Sequence, residues 1–215
     1  MSNNVVAQAT LATTSLRAFI HSALLWLLAA GCTSARSNAR LQPGLSGGVT
    51  LAAAYFPADR GDSNPNGRDT AAASPAPEAF VQIARTDGTD SGTAIQLTVP
   101  LAYAAAAVDV YHQFSGSDRW SHGGGVELGL LTGGGYYLVT GHAGSLYATA
   151  TARLLALWDN WQPVLTTQLA FGRQRRVDLF GFVAYTRALG DAIDLGVDQT
   201  YSFRAWLLAG FGLRF

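Results

Sequence analysis

The sequence predicts an all-β protein, an antiparallel up-and-down transmembrane β-barrel of about ten strands behind an N-terminal export segment. Three observations carry this. Apolar residues recur at every second position through much of the chain after residue 45, which is the period of a strand with one greasy face and not the 3.6 of a helix. Charged residues are only 13% of the 215, against roughly 25% in soluble domains, so something other than water must cover much of the surface. The chain also ends in YSFRAWLLAGFGLRF (201–215), where Tyr201, Phe203, Ala205, Leu207, Ala209, Phe211, Leu213 and Phe215 alternate with positions that include Ser202, Arg204, Gly210, Gly212 and Arg214.

The first element is a processing segment. The run AFIHSALLWLLAA (18–30) follows Arg17 and leads directly into Gly31 and Cys32. It is shorter than the roughly 20 apolar residues that span a bilayer, so residues 1–31 read as a signal peptide. LAAGC (28–32) resembles the lipobox of bacterial lipoprotein signal peptides. That resemblance implies diacylglycerol on the Cys32 sulfur, with outer-membrane lipid as partner. Ordinary cleavage after Ala35 or Ala39 is the alternative. Cys32 is the only cysteine, so no intrachain disulfide can form. Residues 32–45 are small, polar and turn-forming and read as a flexible tether, with 46–215 as one barrel domain.

Within that domain the strand candidates are 46–56, 79–86, 95–101, 104–114, 126–130, 136–143, 145–158, 164–171, 177–188 and 201–215. The pattern is clearest in 145–158, where Leu146, Ala148, Ala150, Ala152 and Leu154 oppose Tyr147, Thr149, Thr151 and Arg153. It recurs as Ile95, Leu97 and Val99 against Gln96 and Thr98, and as Leu165 and Leu169 against Thr166 and Gln168. DGTDSG (87–92), SGSDRWSH (115–122), TGGG (132–135), WDNWQ (158–162), RQRR (173–176) and 190–200 read as separators. The stretch 95–114 lacks a turn glycine, and PLAYAAAAVDVY (100–111) is compatible with a short helix. Eight strands result if 46–56 and one weak segment drop out.

Alternation alone fits a soluble barrel as well as a membrane barrel. Strand length favours the membrane, since a tilted spanning strand needs about 9–11 residues. So do aromatics near strand ends (Tyr55, Phe56, Trp120, Tyr136, Tyr137, Trp158, Trp161, Tyr201), as interfacial belts require. The final strand resembles the C-terminal assembly signal of bacterial outer-membrane β-barrel proteins, with Phe211, Leu213 and Phe215 in its alternating positions. The resemblance implies an outer-membrane location and the barrel-assembly machinery as partner. If both termini of the barrel are periplasmic the strand number must be even, which ten satisfies; RQRR then falls in a periplasmic turn and the long connections 57–78 and 190–200 outside.

Formal net charge is zero, which offers no basic field for nucleic acid. All fourteen basic residues are Arg, a bias read as coding composition. His112, His122 and His142 show no ligand spacing, so neither metal nor cofactor is expected. HQFSG (112–116) resembles nucleophile arrangements of outer-membrane lipid deacylases, with His112 and Ser115, but no third residue completes it. Arg60-Gly61-Asp62 has the form of an adhesion tripeptide, which chance explains in a loop rich in Asp, Asn and Gly. The Asp-rich loops 59–69 and 87–90 could hold Ca²⁺ loosely but lack ordered ligand spacing, and the GGG runs at 123–125 and 133–135 read as strand or turn. No enzyme activity is expected. Asp109, Glu127, Arg153 and Arg204 fall on polar faces, and an Arg facing lipid costs about 2–4 kcal/mol, so these four are expected to point inward and pair. The expected role is structural or that of a narrow pore. The alternatives are a lipid-anchored soluble periplasmic barrel binding an apolar ligand, and a lipid-modifying enzyme.

Overall fold

A strand that is apolar on one face and polar on the other needs two different surroundings, and a closed sheet supplies both without leaving an edge. The computed structural model of the chain describes residues 36–55, 74–88, 90–100, 106–129, 132–157, 162–190, 193–194 and 202–215. The signal segment with Cys32, the Arg60-Gly61-Asp62 loop, Phe56, Trp158, Trp161, Tyr201 and most of 190–200 lie outside them.

Ten strands close the barrel: β1 (Gly44–Tyr55), β2 (Ser74–Asp87), β3 (Ser91–Pro100), β4 (Ala107–Gly116), β5 (Trp120–Gly129), β6 (Thr132–Ala143), β7 (Leu146–Leu157), β8 (Gln162–Arg173), β9 (Asp178–Ala188) and β12 (Ala205–Arg214). β10 (Ile193–Asp194) and β11 (Ser202–Phe203) form a small hairpin in the connection between β9 and β12. Each barrel strand pairs antiparallel with its neighbour in chain order, and β1 closes on β12 through pairs from Gly48↔Arg214 to Tyr55↔Leu207. Beyond that ladder, Gly47 and Phe215 exchange both backbone hydrogen bonds at 2.9 Å. Eight strands are thereby excluded.

The outer wall is apolar. Ile83, Leu128 and Leu179 are 61%, 60% and 58% exposed, while Thr140 and Glu127 on the inner wall are 0% exposed. This is the orientation of a transmembrane barrel and the reverse of a soluble one. Strands of 10 to 14 residues, at about 3.3 Å per residue and a tilt near 40°, rise about 25–35 Å, enough for the apolar band of a bilayer. Tight connections gather at the mouth that holds residue 44 and Phe215. Gly88 and Gly144 adopt φ of 73° and 61° there, the left-handed conformation that short hairpin turns demand. The two longest intervals between barrel strands, 56–73 and 189–204, fall at the opposite mouth.

Four expectations need correction. TGGG (132–135) opens β6 and is no separator, because its glycines sit in the ladder opposite β5 and β7. The separator 115–122 shrinks to residues 117–119, with a bulge between Gln113 and Ser115 absorbing the mismatch. The helical alternative for 100–111 fails over 107–111, which lie in β4, while 101–105 are outside the described residues. Tyr136 points inward, whereas Tyr55, Trp120 and Tyr137 are exposed on the outside; the phase of β6 places Tyr136, Leu138 and Thr140 on one side.

Inward aromatics lie over inward glycines of the adjacent strand. Phe80 covers Gly48, Tyr147 covers Gly172, Phe182 covers Gly210 and Phe180 covers Gly212. A side chain at any of these glycines would occupy the space of the ring, so glycine and aromatic on neighbouring strands make one packing unit.

Candidate functional site

Apolar and polar side chains both line the lumen, in different proportions around the ring. From β8, β9, β12 and β1 come Val164, Ala170, Phe180, Phe182, Ala184, Trp206, Leu208, Ala52 and Ala54, buried against one another. From β2 to β7 come Glu78, Gln82, Gln96, Asp109, Gln113, Glu127, Thr140, Thr149 and Arg153, also buried. Polar groups removed from water must find partners, and here they find each other. Arg153 Nη1 lies 3.0 Å from Glu127 Oε2, Thr50 donates to Glu78 across 3.3 Å, and the Tyr147 hydroxyl donates to Asp178 at 3.1 Å.

The largest departure from the sequence expectation is the segment read as a tether. Residues 36–41 enter the lumen through the mouth that holds residue 44 and Phe215, and Arg36, Ser37, Asn38 and Ala39 are 0–2% exposed. An irregular segment can be buried only if its backbone groups are satisfied, and side chains of the polar wall do this. Ala39 N–H donates to Thr140 Oγ1 at 2.8 Å and Leu41 N–H to Gln113 Oε1 at 2.8 Å. The Tyr111 hydroxyl donates to the Ala39 carbonyl at 2.8 Å, and Thr149 Oγ1 to that of Ser37 at 2.7 Å. Arg40 N–H folds back onto Asn38 Oδ1 at 2.9 Å, a local turn typical of Asn, and the Arg40 guanidinium reaches the Ser117 carbonyl at the rim.

At the inner end Arg36 donates from Nη2 to Asp109 Oδ2 at 2.9 Å, from Nη1 to Gln82 Oε1 at 2.6 Å and from Nε to the Tyr136 hydroxyl at 3.4 Å. Its Cζ stands 4.4 Å from the centre of the Tyr111 ring. The Tyr136 hydroxyl in turn donates to Asp109 Oδ1. Tyr111 and Tyr136 are parallel within 4°, centroids 6.2 Å apart, and Arg153 lies 5.4 Å from the Tyr136 ring. The glycines of β5 make room for these rings. A Cβ on Gly123 would strike the Tyr111 ring, and one on Gly125 would come within 2.6 Å of Tyr136 Cζ.

Of the four charges expected inside, the structure places Asp109, Glu127 and Arg153 there, in two separate ion pairs. Arg204 is exposed between β11 and β12, where the strand phase has not yet begun, and is not part of the interior set. Arg36, Gln82, Tyr111 and Gln113 were not singled out from sequence, although Asp109, Tyr111 and Gln113 alternate with Val108, Val110 and His112 and so share one face. Phe211, Leu213 and Phe215 all lie on the outer wall of the closing seam.

Two of the three described histidines, His112 and His122, pack against one ring, that of Phe114, with centroids 5.4 and 6.1 Å from it. His112 and His122 are on the outer wall, where His112 Nδ1 meets Thr93 Oγ1 at 2.9 Å and His122 Nδ1 meets the Tyr137 hydroxyl at 2.8 Å. His142 Nε2 meets Ser121 Oγ at 3.0 Å. Ser115 stands beside His122 in the ladder. Among the described residues no group of three or more His, Cys, Asp or Glu gathers as a metal site would require.

No family model and no curated protein matches the chain. Among solved structures, the chain is similar to the NanC porin at 9% identity and a TM-score of 0.43, over 78% of this chain and 98% of that one. It is similar to the KdgM porin at 7% identity and a TM-score of 0.35, over the same shares. The translocator domain of the autotransporter NalP from Neisseria meningitidis is similar at 11% identity and a TM-score of 0.37, over 100% of this chain and 98% of that one.

Proposed function

We propose that the chain is an outer-membrane β-barrel whose lumen is closed by its own N-terminal segment, and that withdrawal of that segment leaves a narrow pore. The observation that carries this is the pairing of an apolar outer wall with a polar lumen filled by residues 36–41. Exported chains that span a bilayer by strands must close them into barrels, and such barrels belong to the outer membrane. Acylation of Cys32 and delivery by the barrel-assembly machinery belong to the same reading. They are supported by LAAGC at 28–32 and by the alternation of Phe211, Leu213 and Phe215.

A lipid-anchored soluble barrel would need the opposite orientation, with Leu128, Val183 and Phe211 inside. A lipid-modifying role for His112 and Ser115 lacks support, since His112 Nδ1 is engaged by a threonine hydroxyl and not by a carboxylate. The test is a Cys32→Ala variant with an efficient cleavable signal, fractionated and then run on gels with and without heating. Retention in the outer membrane with heat-modifiable migration is expected. Appearance as soluble periplasmic protein would overturn the proposal. In planar bilayers the full chain is expected to conduct little, and a variant lacking residues 36–43 to conduct steadily.

A further inference from the structure

Closing a hole does not require recognition of a guanidinium, yet the lumen recognises one. A carboxylate (Asp109), an amide oxygen (Gln82), a phenol oxygen (Tyr136) and an aromatic face (Tyr111) converge on Arg36 from β2, β4 and β6. These are the partners that a planar, five-donor cation takes. The wall behind them is braced by contacts that do not involve Arg36. Tyr136 donates to Asp109, and the two tyrosine rings are seated over Gly123 and Gly125. A second guanidinium, that of Arg153, faces Tyr136 farther along the same stacked pair.

The charge balance points the same way. Three arginines (Arg36, Arg153 and Arg214) and four carboxylates (Glu78, Asp109, Glu127 and Asp178) line the described lumen. Without Arg36 a buried Asp109 loses its counter-charge, a costly state that another cation relieves.

We propose that the pocket formed by Asp109, Gln82, Tyr136 and Tyr111 is a binding site for small guanidinium-bearing cations, with Arg36 as its built-in competitor. This deepens the pore reading and rests on it for how such a solute reaches the pocket. A tethered group competes at an effective concentration in the millimolar range, so free ligand reaches the pocket only at similar concentrations or when Arg36 is absent. A lysine ammonium lacks the planar fork and fits less well.

The experiment is a calorimetric titration of the full chain in detergent micelles with L-argininamide and, separately, L-lysinamide. Arg36→Ala is expected to bind L-argininamide at least about tenfold more tightly than the unmodified chain does, and more tightly than it binds L-lysinamide. Adding Asp109→Asn is expected to abolish the gain. Equal binding by the unmodified chain and Arg36→Ala, or indifference to Asp109→Asn, overturns the proposal. Heat-modifiable migration reports the fold of each variant. Should Arg36→Ala fail that check, Arg36→Lys, a weaker competitor, is expected to bind L-argininamide more tightly than the unmodified chain, and no gain there also overturns the proposal. The titration needs no ion current, so a barrel that binds L-argininamide but never conducts refutes the pore and leaves the pocket standing.

Discussion

Gly125 shows how a single hydrogen atom in place of a methyl group decides the shape of the lumen. A Cβ there would lie 2.6 Å from both Cζ and the hydroxyl oxygen of Tyr136, the ring that also orients Asp109. Gly125→Ala is therefore expected to destabilise the folded barrel by about 1–3 kcal/mol, the usual cost of overpacking, measured by urea unfolding in detergent. Gly135→Ala, whose Cβ would have only the Gly125 carbonyl at 3.6 Å, is expected to be close to neutral in the same assay. The Arg153–Glu127 pair makes a second test. Both side chains are 0–2% exposed, so Arg153→Ala leaves a buried carboxylate without its partner and is expected to lose about 3–5 kcal/mol. Replacing both by apolar residues, Arg153→Met with Glu127→Leu, is expected to recover most of that loss. If the double variant is as unstable as the single one, the pair contributes more than mutual neutralisation.

At the scale of the strand, alternation decides which face meets lipid, and the test is a charge placed on one face. Val183, near the middle of β9 and pointing outward, is expected to lose about 2–4 kcal/mol on substitution by Arg, seen as a lower urea midpoint in lipid vesicles. No loss would mean that this wall faces water. The strands were also what the sequence expressed best. Period two survives any environment because adjacent side chains must point to opposite faces, so Leu146 to Leu154 and Leu207 to Leu213 could be assigned to faces without a structure. Boundaries were less legible. Glycines such as those in TGGG serve in turns and equally under aromatic rings, and only the neighbouring strand shows which. The N-terminal segment was illegible for a different reason. Ser37, Ala39 and Leu41 carry no periodic signal, and their burial depends on Thr140, Thr149, Tyr111 and Gln113, which lie far along the chain and meet them only once the barrel has closed. Arg204 misled because parity was extended one residue beyond the start of β12.

For the molecule as a whole, the balance of charge in the lumen sets which ions it favours. With residues 36–43 removed, the described interior retains Arg153 and Arg214 against Glu78, Asp109, Glu127 and Asp178. That variant is expected to prefer cations, read as the sign of the reversal potential under a salt gradient, and the preference is expected to weaken as ionic strength rises. Anion preference would show that the inner carboxylates are not the groups that permeating ions meet.

The seam between β1 and β12 has a kinetic consequence. Every other contact in the ring joins strands that follow one another along the chain, so the sheet can grow by adding one local hairpin at a time. The seam alone joins the two ends of the domain. Its closure must meet the entropy of the longest loop in the molecule, and until it does, both terminal strands present bare edges open to pairing with another chain. Closure of the seam is accordingly the step expected to limit maturation, and substitutions along Gly48 to Tyr55 and Leu207 to Arg214 are expected to lengthen assembly time more than substitutions of equal cost to final stability made anywhere else in the ring.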